Sequence, residues 1–219
     1  MAELHLVRGN KNFSSWSLRA WLSLRFCSAS FTEEVVWFDE DGDRAQRRNH
    51  APTGRVPVLY VDGHAVWDSL AIAETLHELY PEAGLWPSER AARARARSIV
   101  CEMHSGFGAL RTHLPLHCRG RKPARDRGPE VAADVARIQT MWAETRAAFG
   151  ADGPYLFGQR SLADAFYAPV ASRFLTYSVP CEGAAGELMQ ALLAIPEVVE
   201  WMSDAEAEGH EVAEYANNP

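Results

Sequence analysis

The sequence predicts a small α/β domain followed by an all-helical one. Three observations carry this reading. Strand and helix signals alternate through the first third of the chain. A stretch from Pro81 to Pro87, rich in Pro, Gly and Glu, then reads as a linker. Beyond it no segment alternates like a strand, and apolar residues recur at helical spacing. The resulting division is residues 1–81 for the α/β domain, 82–88 for the linker and 89–219 for the helical domain. A chain of 219 residues buries about 70% of its unfolded surface and needs no disulfide or metal staple.

The elements follow in order. Leu4, Leu6 and Arg8 form a short strand pattern that ends at Gly9-Asn10. Leu18, Trp21, Leu22 and Phe26 fall at i, i+3, i+4 and i+8 of an amphipathic helix. Val35, Val36 and Trp37 mark a second strand over Glu33 to Phe38, and the polar stretch Asp39 to Pro52 holds at most a short helix. Val56 to Val61 reads as a third strand. Asp62-Gly63 is a hairpin turn signal that pairs Ala65-Val66-Trp67 back as a fourth. Ile72, Leu76, Leu79 and Tyr80 give a helix stopped by Pro81. The order is βαβ, then ββα.

In the second domain Val100, Met103, Phe107, Leu110 and Leu114 predict one long helix, and Val131, Val135, Ile138 and Trp142 another. Ser161-x-x-Asp164 has the form of a capping box opening a third. Residues 186–194 and 197–208 read as two shorter helices separated by Pro196.

Composition excludes several functions. The net charge is −7, so the chain is a poor general binder of nucleic acid phosphates. No run approaches the ~20 apolar residues of a membrane helix. Glu3 and Arg8 interrupt any hydrophobic signal region, so no secretion signal is expected. Cys27, Cys101, Cys118 and Cys181 are scattered and suit a reducing cytoplasm better than a disulfide framework. The basic cluster Arg119, Arg121, Lys122, Arg125 and Arg127 reads as a solvated loop in preference to a docking site for an acidic partner. His113, His117 and Cys118 have loose metal-ligand spacing, but Pro115 intervenes and no carboxylate joins them; no metal is expected.

Three features of the first domain carry candidate chemistry: Phe13 to Arg19 at the strand-to-helix junction, Arg55 to Val58 with proline at a strand start, and Trp67 to Ile72 at the second such junction. Two of these are helix N-termini, which offer unpaired N–H groups to an anion. Simpler explanations stand beside each. Ser14 or Ser15 serves as an N-cap, Ser69 likewise, Asp68 favours a helix dipole, and Pro57 is an ordinary strand-start proline.

The same residues resemble the cytosolic glutathione transferase family over nearly the whole chain. The pattern S-S-x-S-x-R at 14–19 is most similar to the zeta class, which includes maleylacetoacetate isomerases. Val56-Pro57, D-S-L-A-I at 68–72, S-L-A-D at 161–164 and the segment from Ile195-Pro196-Glu197 to Trp201-Met202 follow in family order. The resemblance implies a thioredoxin-like first domain and glutathione as cosubstrate, with a homodimer and a detoxifying role. Ser14 would hydrogen-bond the glutathione sulfur and favour the thiolate, the nucleophilic form. The backbone of Val56, beside a cis Pro57, would pair with the cysteinyl part like an added strand. Ser69 would hold the γ-glutamyl carboxylate and Asp68 its ammonium. Ser15, Trp16 and Arg173 would border the second substrate, Arg173 as a carboxylate ligand or else as a surface residue. No tyrosine precedes Tyr60, and Cys27 lies near the end of the first helix, which leaves serine as the thiol activator, with Ser15 or Asn12 as alternates. Two positions depart from the zeta pattern: Trp16 stands where that class carries cysteine, and Asp68 is shorter than the usual Glu or Gln. The expected activity is glutathione conjugation to a small electrophile. The alternatives are isomerisation of a maleyl-type diacid and a non-catalytic interaction role.

Overall fold

The structure is a computed structural model that describes residues 2–38, 51–210 and 212. The four expected strands are β1 (Leu4–Arg8), β2 (Thr32–Val35), β3 (Val58–Val61) and β4 (His64–Val66). They form one sheet in the order β2-β1-β3-β4, in which β1 and β2 are parallel and the other pairs antiparallel. The period of two sorts the side chains. Leu4, Leu6 and Leu59 enter the main core, while Val7 and Val58 join a smaller cluster with Val36 and Ala51.

Strand ends differ from expectation by a few residues, for physical reasons. β2 stops where its partner does: Val36 N–H makes a last bond to Arg8 O, and Phe38 N–H turns to Asn10 Oδ1. Trp37 leaves the sheet and stacks on His210 at 4.4 Å. β3 begins only after the cis Val56–Pro57 bond, and β4 ends before Trp67. Most of the polar stretch from 39 to 52 lies outside the described residues.

Helix α1 (Ser15–Phe26) packs against α2 (Ser69–Leu79) and against a buried helix of the second part, Leu162–Thr176. The one long helix expected through Val100 and Leu114 is two. They are α3 (Arg90–Ser105), capped by Glu89 at the N–H groups of Ala91 and Ala92, and α4 (Gly108–His113). The break falls at Phe107, whose φ of 58° is left-handed. Arg111 folds back across it and donates to the carbonyls of Met103, His104 and Gly106, which the helix end leaves unpaired.

Then come α5 (Pro129–Phe149), α6 (Leu162–Thr176), α7 (Gly183–Leu193) and α8 (Pro196–Ala207). Pro196 does not separate the last two; it is the first residue of α8, where a missing N–H costs nothing. The capping box is present: Asp164 Oδ2 accepts the N–H and hydroxyl of Ser161, and Oδ1 accepts Leu156 N–H. Burial still pushes the Asp164 carboxyl up to about 6. Nearly every residue of α6 is buried, which makes it the axis of the helical part. Among the described residues no helix is long and apolar enough to cross a membrane.

Candidate functional site

A cleft of about 440 Å³ opens at one end of the sheet. Its walls are the segment Thr53 to Pro57 before β3, the Trp67–Asp68–Ser69 junction into α2, and Trp16 of α1. Four of the candidates, Val56, Pro57, Asp68 and Ser69, therefore come together with Trp16 on one surface. Thr53, Arg55 and Trp67 also line it. Arg55 and Trp67 are the first residues of two of the sequence features and carry no chemical signature of their own, and Thr53 is a loop residue outside them.

The cleft is built by local chemistry. Asp68 caps α2 by accepting Leu70 N–H at 3.0 Å, and its other oxygen meets His104 Nε2 of α3, also at 3.0 Å. The explanation of Ser69 as the cap thus fails, because Asp68 does that work. Ser69 is fully buried at the first turn, and its Oγ has no hydrogen-bond partner among the described residues. A buried, unpaired hydroxyl beside free helix N–H groups is suited to an anionic oxygen. The cis bond at Pro57 leaves Val56 ahead of β3, at the cleft rim.

Ser14 is the N-cap of α1 and accepts Ser17 N–H at 3.3 Å. It does not line the cleft. Its hydroxyl pairs with that of Ser17 at 2.8 Å, and Ser17 Oγ also accepts Gly9 N–H at 3.0 Å. Ser15 is buried, with its hydroxyl taken by Arg173 Nη2 at 3.1 Å. Arg173 is only 3% exposed, so its reading as a surface residue is wrong. Its other donors reach Leu114 O at 2.8 Å and Pro169 O at 3.4 Å, which ties α6 to the start of α1. Asn12 faces the helical part: its Oδ1 accepts Arg119 N–H and its carbonyl accepts Cys118 N–H.

The thiols stand apart from this chemistry. Burial raises the Cys118 thiol to about 12, and burial also raises Cys27 and Cys181, so none is a ready thiolate. No group of three or more His, Cys, Asp or Glu side chains among the described residues is placed to hold a metal ion. His113 is exposed, whereas His117 packs on Phe13 at 5.4 Å. The basic loop is only partly solvated: Arg119 donates to the carbonyls of Glu208 and His210, and Arg121 to those of Cys118 and Gly120.

The chain is similar to several known proteins. Residues 13–79 match the family model of the glutathione S-transferase N-terminal domain. A probable maleylacetoacetate isomerase from Caenorhabditis elegans is 31% identical over 110 residues, half of either chain. A dichloromethane dehalogenase from Methylorubrum extorquens is 46% identical over 59 residues, covering 26% of this chain and 20% of that one. The chain thus spans about half the length, or less, of these relatives. Among solved structures, a Burkholderia glutathione transferase homolog with bound glutathione superposes with a TM-score of 0.71 at 20% identity, covering 94% of this chain and 99% of that one. A maleylacetoacetate isomerase from Anaeromyxobacter dehalogenans gives 0.69 at 21%, covering 96% and 95%. Residues 13–79 thus match the glutathione S-transferase N-terminal domain, and the chain as a whole has the fold of the glutathione transferases.

Proposed function

We propose that this chain is a glutathione transferase whose cleft binds glutathione and activates its thiol toward a small electrophile. The observation that carries the reading is the gathering of Val56, cis-Pro57, Asp68 and the unpaired Ser69 hydroxyl around one cleft beside the start of α1. Ser69 Oγ and the first N–H groups of α2 would hold the γ-glutamyl carboxylate, with Asp68 Oδ2 toward the ammonium in competition with His104. The Val56 backbone would pair with the cysteinyl residue.

Ser14 would act on the sulfur through the hydroxyl pair. Two paired hydroxyls can orient either way. With Ser17 donating to Ser14 Oγ, the Ser14 proton is free for the thiolate, and Gly9 N–H supports Ser17 in turn. Such a chain strengthens each bond in it. The helix dipole of α1 adds to the preference for the anion. A thiolate so stabilised is the nucleophile of the conjugation step. Residues 1–81 would supply the glutathione site and 89–219 the electrophile pocket, in a homodimer located in the cytoplasm and serving detoxification.

Calorimetric titration with glutathione tests the reading. Binding in the micromolar to millimolar range supports it, whereas no heat and no thermal stabilisation at ~10 mM would remove it in favour of a non-catalytic role. Unchanged turnover in Ser14→Ala would remove Ser14 as activator. A second reading, isomerisation of a maleyl-type diacid, is favoured by the isomerase relatives. Failure to isomerise maleylacetone by a protein active on other electrophiles would exclude it.

A further inference from the structure

Arg19, in α1, has no exposed surface, and none of its three guanidinium nitrogens has a hydrogen-bond partner among the described residues. Burying a cation without a partner is strongly unfavourable. Its guanidinium rests on rings instead, 4.5 Å from the centroid of Trp16 and 5.2 Å from that of Phe166. Arg111 lies against the same Trp16 ring at 4.8 Å. Its Nε and Nη2 cover the end of α3, but Nη1 is buried and unpartnered. Burial first, then the charges of Arg111 and Arg173, hold Arg19 well below the ordinary arginine range.

Among the described residues no carboxylate hydrogen-bonds to Arg19 or Arg111, and Asp68 and Asp134 act on them only through their fields. The nearest acids are engaged elsewhere: Asp68 with Leu70 N–H and His104, and Asp134 with Leu110 N–H. The Trp16 ring that covers both arginines also forms part of the cleft wall and meets His104 edge-on at 5.2 Å. Cationic donors thus lie one ring away from the cleft.

We propose that Arg19 and Arg111 form an anion subsite shut off from the cleft by Trp16, and that the side chain at position 16 decides whether a carboxylate-bearing second substrate reaches it. This deepens the glutathione reading of the cleft and rests on it. A guanidinium offers parallel N–H groups that match the two oxygens of a carboxylate. The donors belong to Arg19 and to Nη1 of Arg111; Arg173 bonds Leu114, Pro169 and Ser15 and contributes only its field. With the indole in place the cleft presents an aromatic wall to the second substrate and selects flat apolar electrophiles. With a small residue there, the same cleft accepts dicarboxylates.

The test is titration of maleate, at constant ionic strength, into the wild type, Trp16→Ala, Trp16→Phe and the double variant Trp16→Ala/Arg19→Met. Trp16→Ala should bind maleate at least about tenfold more tightly than the wild type. Trp16→Phe keeps a ring over the arginines and should match the wild type. Arg19→Met removes a buried unpaired charge at similar volume, so the double variant should fold and should lose the gain. Circular dichroism checks folding, and Trp16→Leu replaces Trp16→Ala if the latter does not fold. Equal maleate affinity in the wild type and the opened variant, or a gain that survives Arg19→Met, would overturn the proposal. Glutathione titration of the wild type is read separately. Its failure removes the glutathione reading, while the maleate comparison still decides the anion subsite.

Discussion

Replacing Ser69 by alanine should move stability and ligand affinity in opposite directions. The Ser69 side chain is fully inaccessible, and its Oγ has no partner among the described residues, since Asp68 is the cap of α2. A buried hydroxyl left unpaired costs about 1–3 kcal/mol. Alanine removes that cost and leaves only a hydroxyl-sized gap, so the unliganded protein should gain about 1 kcal/mol. For a chain of this size that is an increase in Tm of roughly 2–4 °C. If Ser69 donates to the γ-glutamyl carboxylate, the same change deletes a hydrogen bond to a charged group, worth about 1.5–3 kcal/mol. At about 1.4 kcal/mol per decade, glutathione Kd should rise roughly 10- to 150-fold. Thermal melting without ligand and calorimetric titration with glutathione read the two effects independently. A destabilised Ser69→Ala protein with unchanged glutathione affinity would refute the reasoning, because it would show the hydroxyl to be a structural group satisfied in the free protein.

Further predictions concern the frame around the cleft. A Cβ at Gly9 would sit 2.5 Å from Phe38 Cζ and 3.2 Å from Ser14 Cβ, so Gly9→Ala should cost about 1–3 kcal/mol in urea denaturation and disturb the Ser14–Ser17 pair. Glu208 accepts the N–H groups of Lys11 at 2.9 Å and Asn12 at 3.1 Å, and Glu208→Ala should cost about 2–4 kcal/mol by the same measurement because both are left unpaired. Among the cysteines, exposed Cys101 should react first with a thiol reagent, and Cys118, buried and raised to about 12, should react only on unfolding. Loss of the fast phase in Cys101→Ser would confirm the order.

The grouping of the cleft was legible because it follows from backbone rules. A proline at a strand start and polar residues at a strand-to-helix junction each announce their local geometry, and their order along the chain places both at one end of the sheet. The helix break at Phe107 was not legible, since apolar spacing runs unbroken from Val100 to Leu114 and periodicity cannot register a turn. Gly106 and Gly108 on either side were the available signal. Position 16 departs from the zeta pattern, but what the indole covers depends on Arg111 from another helix, which no local pattern encodes. Arg19 itself reads as an ordinary polar residue of an amphipathic helix. Its burial comes from α6 packing over that side of α1, and its orphaned donors are visible only in three dimensions.

The loop from Gly9 to Ser14 shows why the two parts of the chain act as one. By sequence it belongs to the sheet domain, yet many of its hydrogen bonds run to the helical part. Glu208, at the end of α8, takes two of its N–H groups, Trp201 Nε1 donates to Lys11 O at 2.8 Å, and Cys118 N–H donates to Asn12 O at 3.1 Å. Lys11 pairs with Asp204, and Arg8 with Glu33 and Glu208. Most of these contacts are at least part-buried, where a hydrogen bond is electrostatically stronger and a broken one more costly. The loop ends at Ser14, so the direction of that hydroxyl is fixed by α8 and by the segment after α4 as much as by β1. An isolated sheet domain would leave those loop N–H groups to water and release the Ser14–Ser17 pair from its support. If Ser14 activates the thiol as proposed, the helical part acts on that step through the backbone it holds, in addition to any residue it lends to the proposed second substrate.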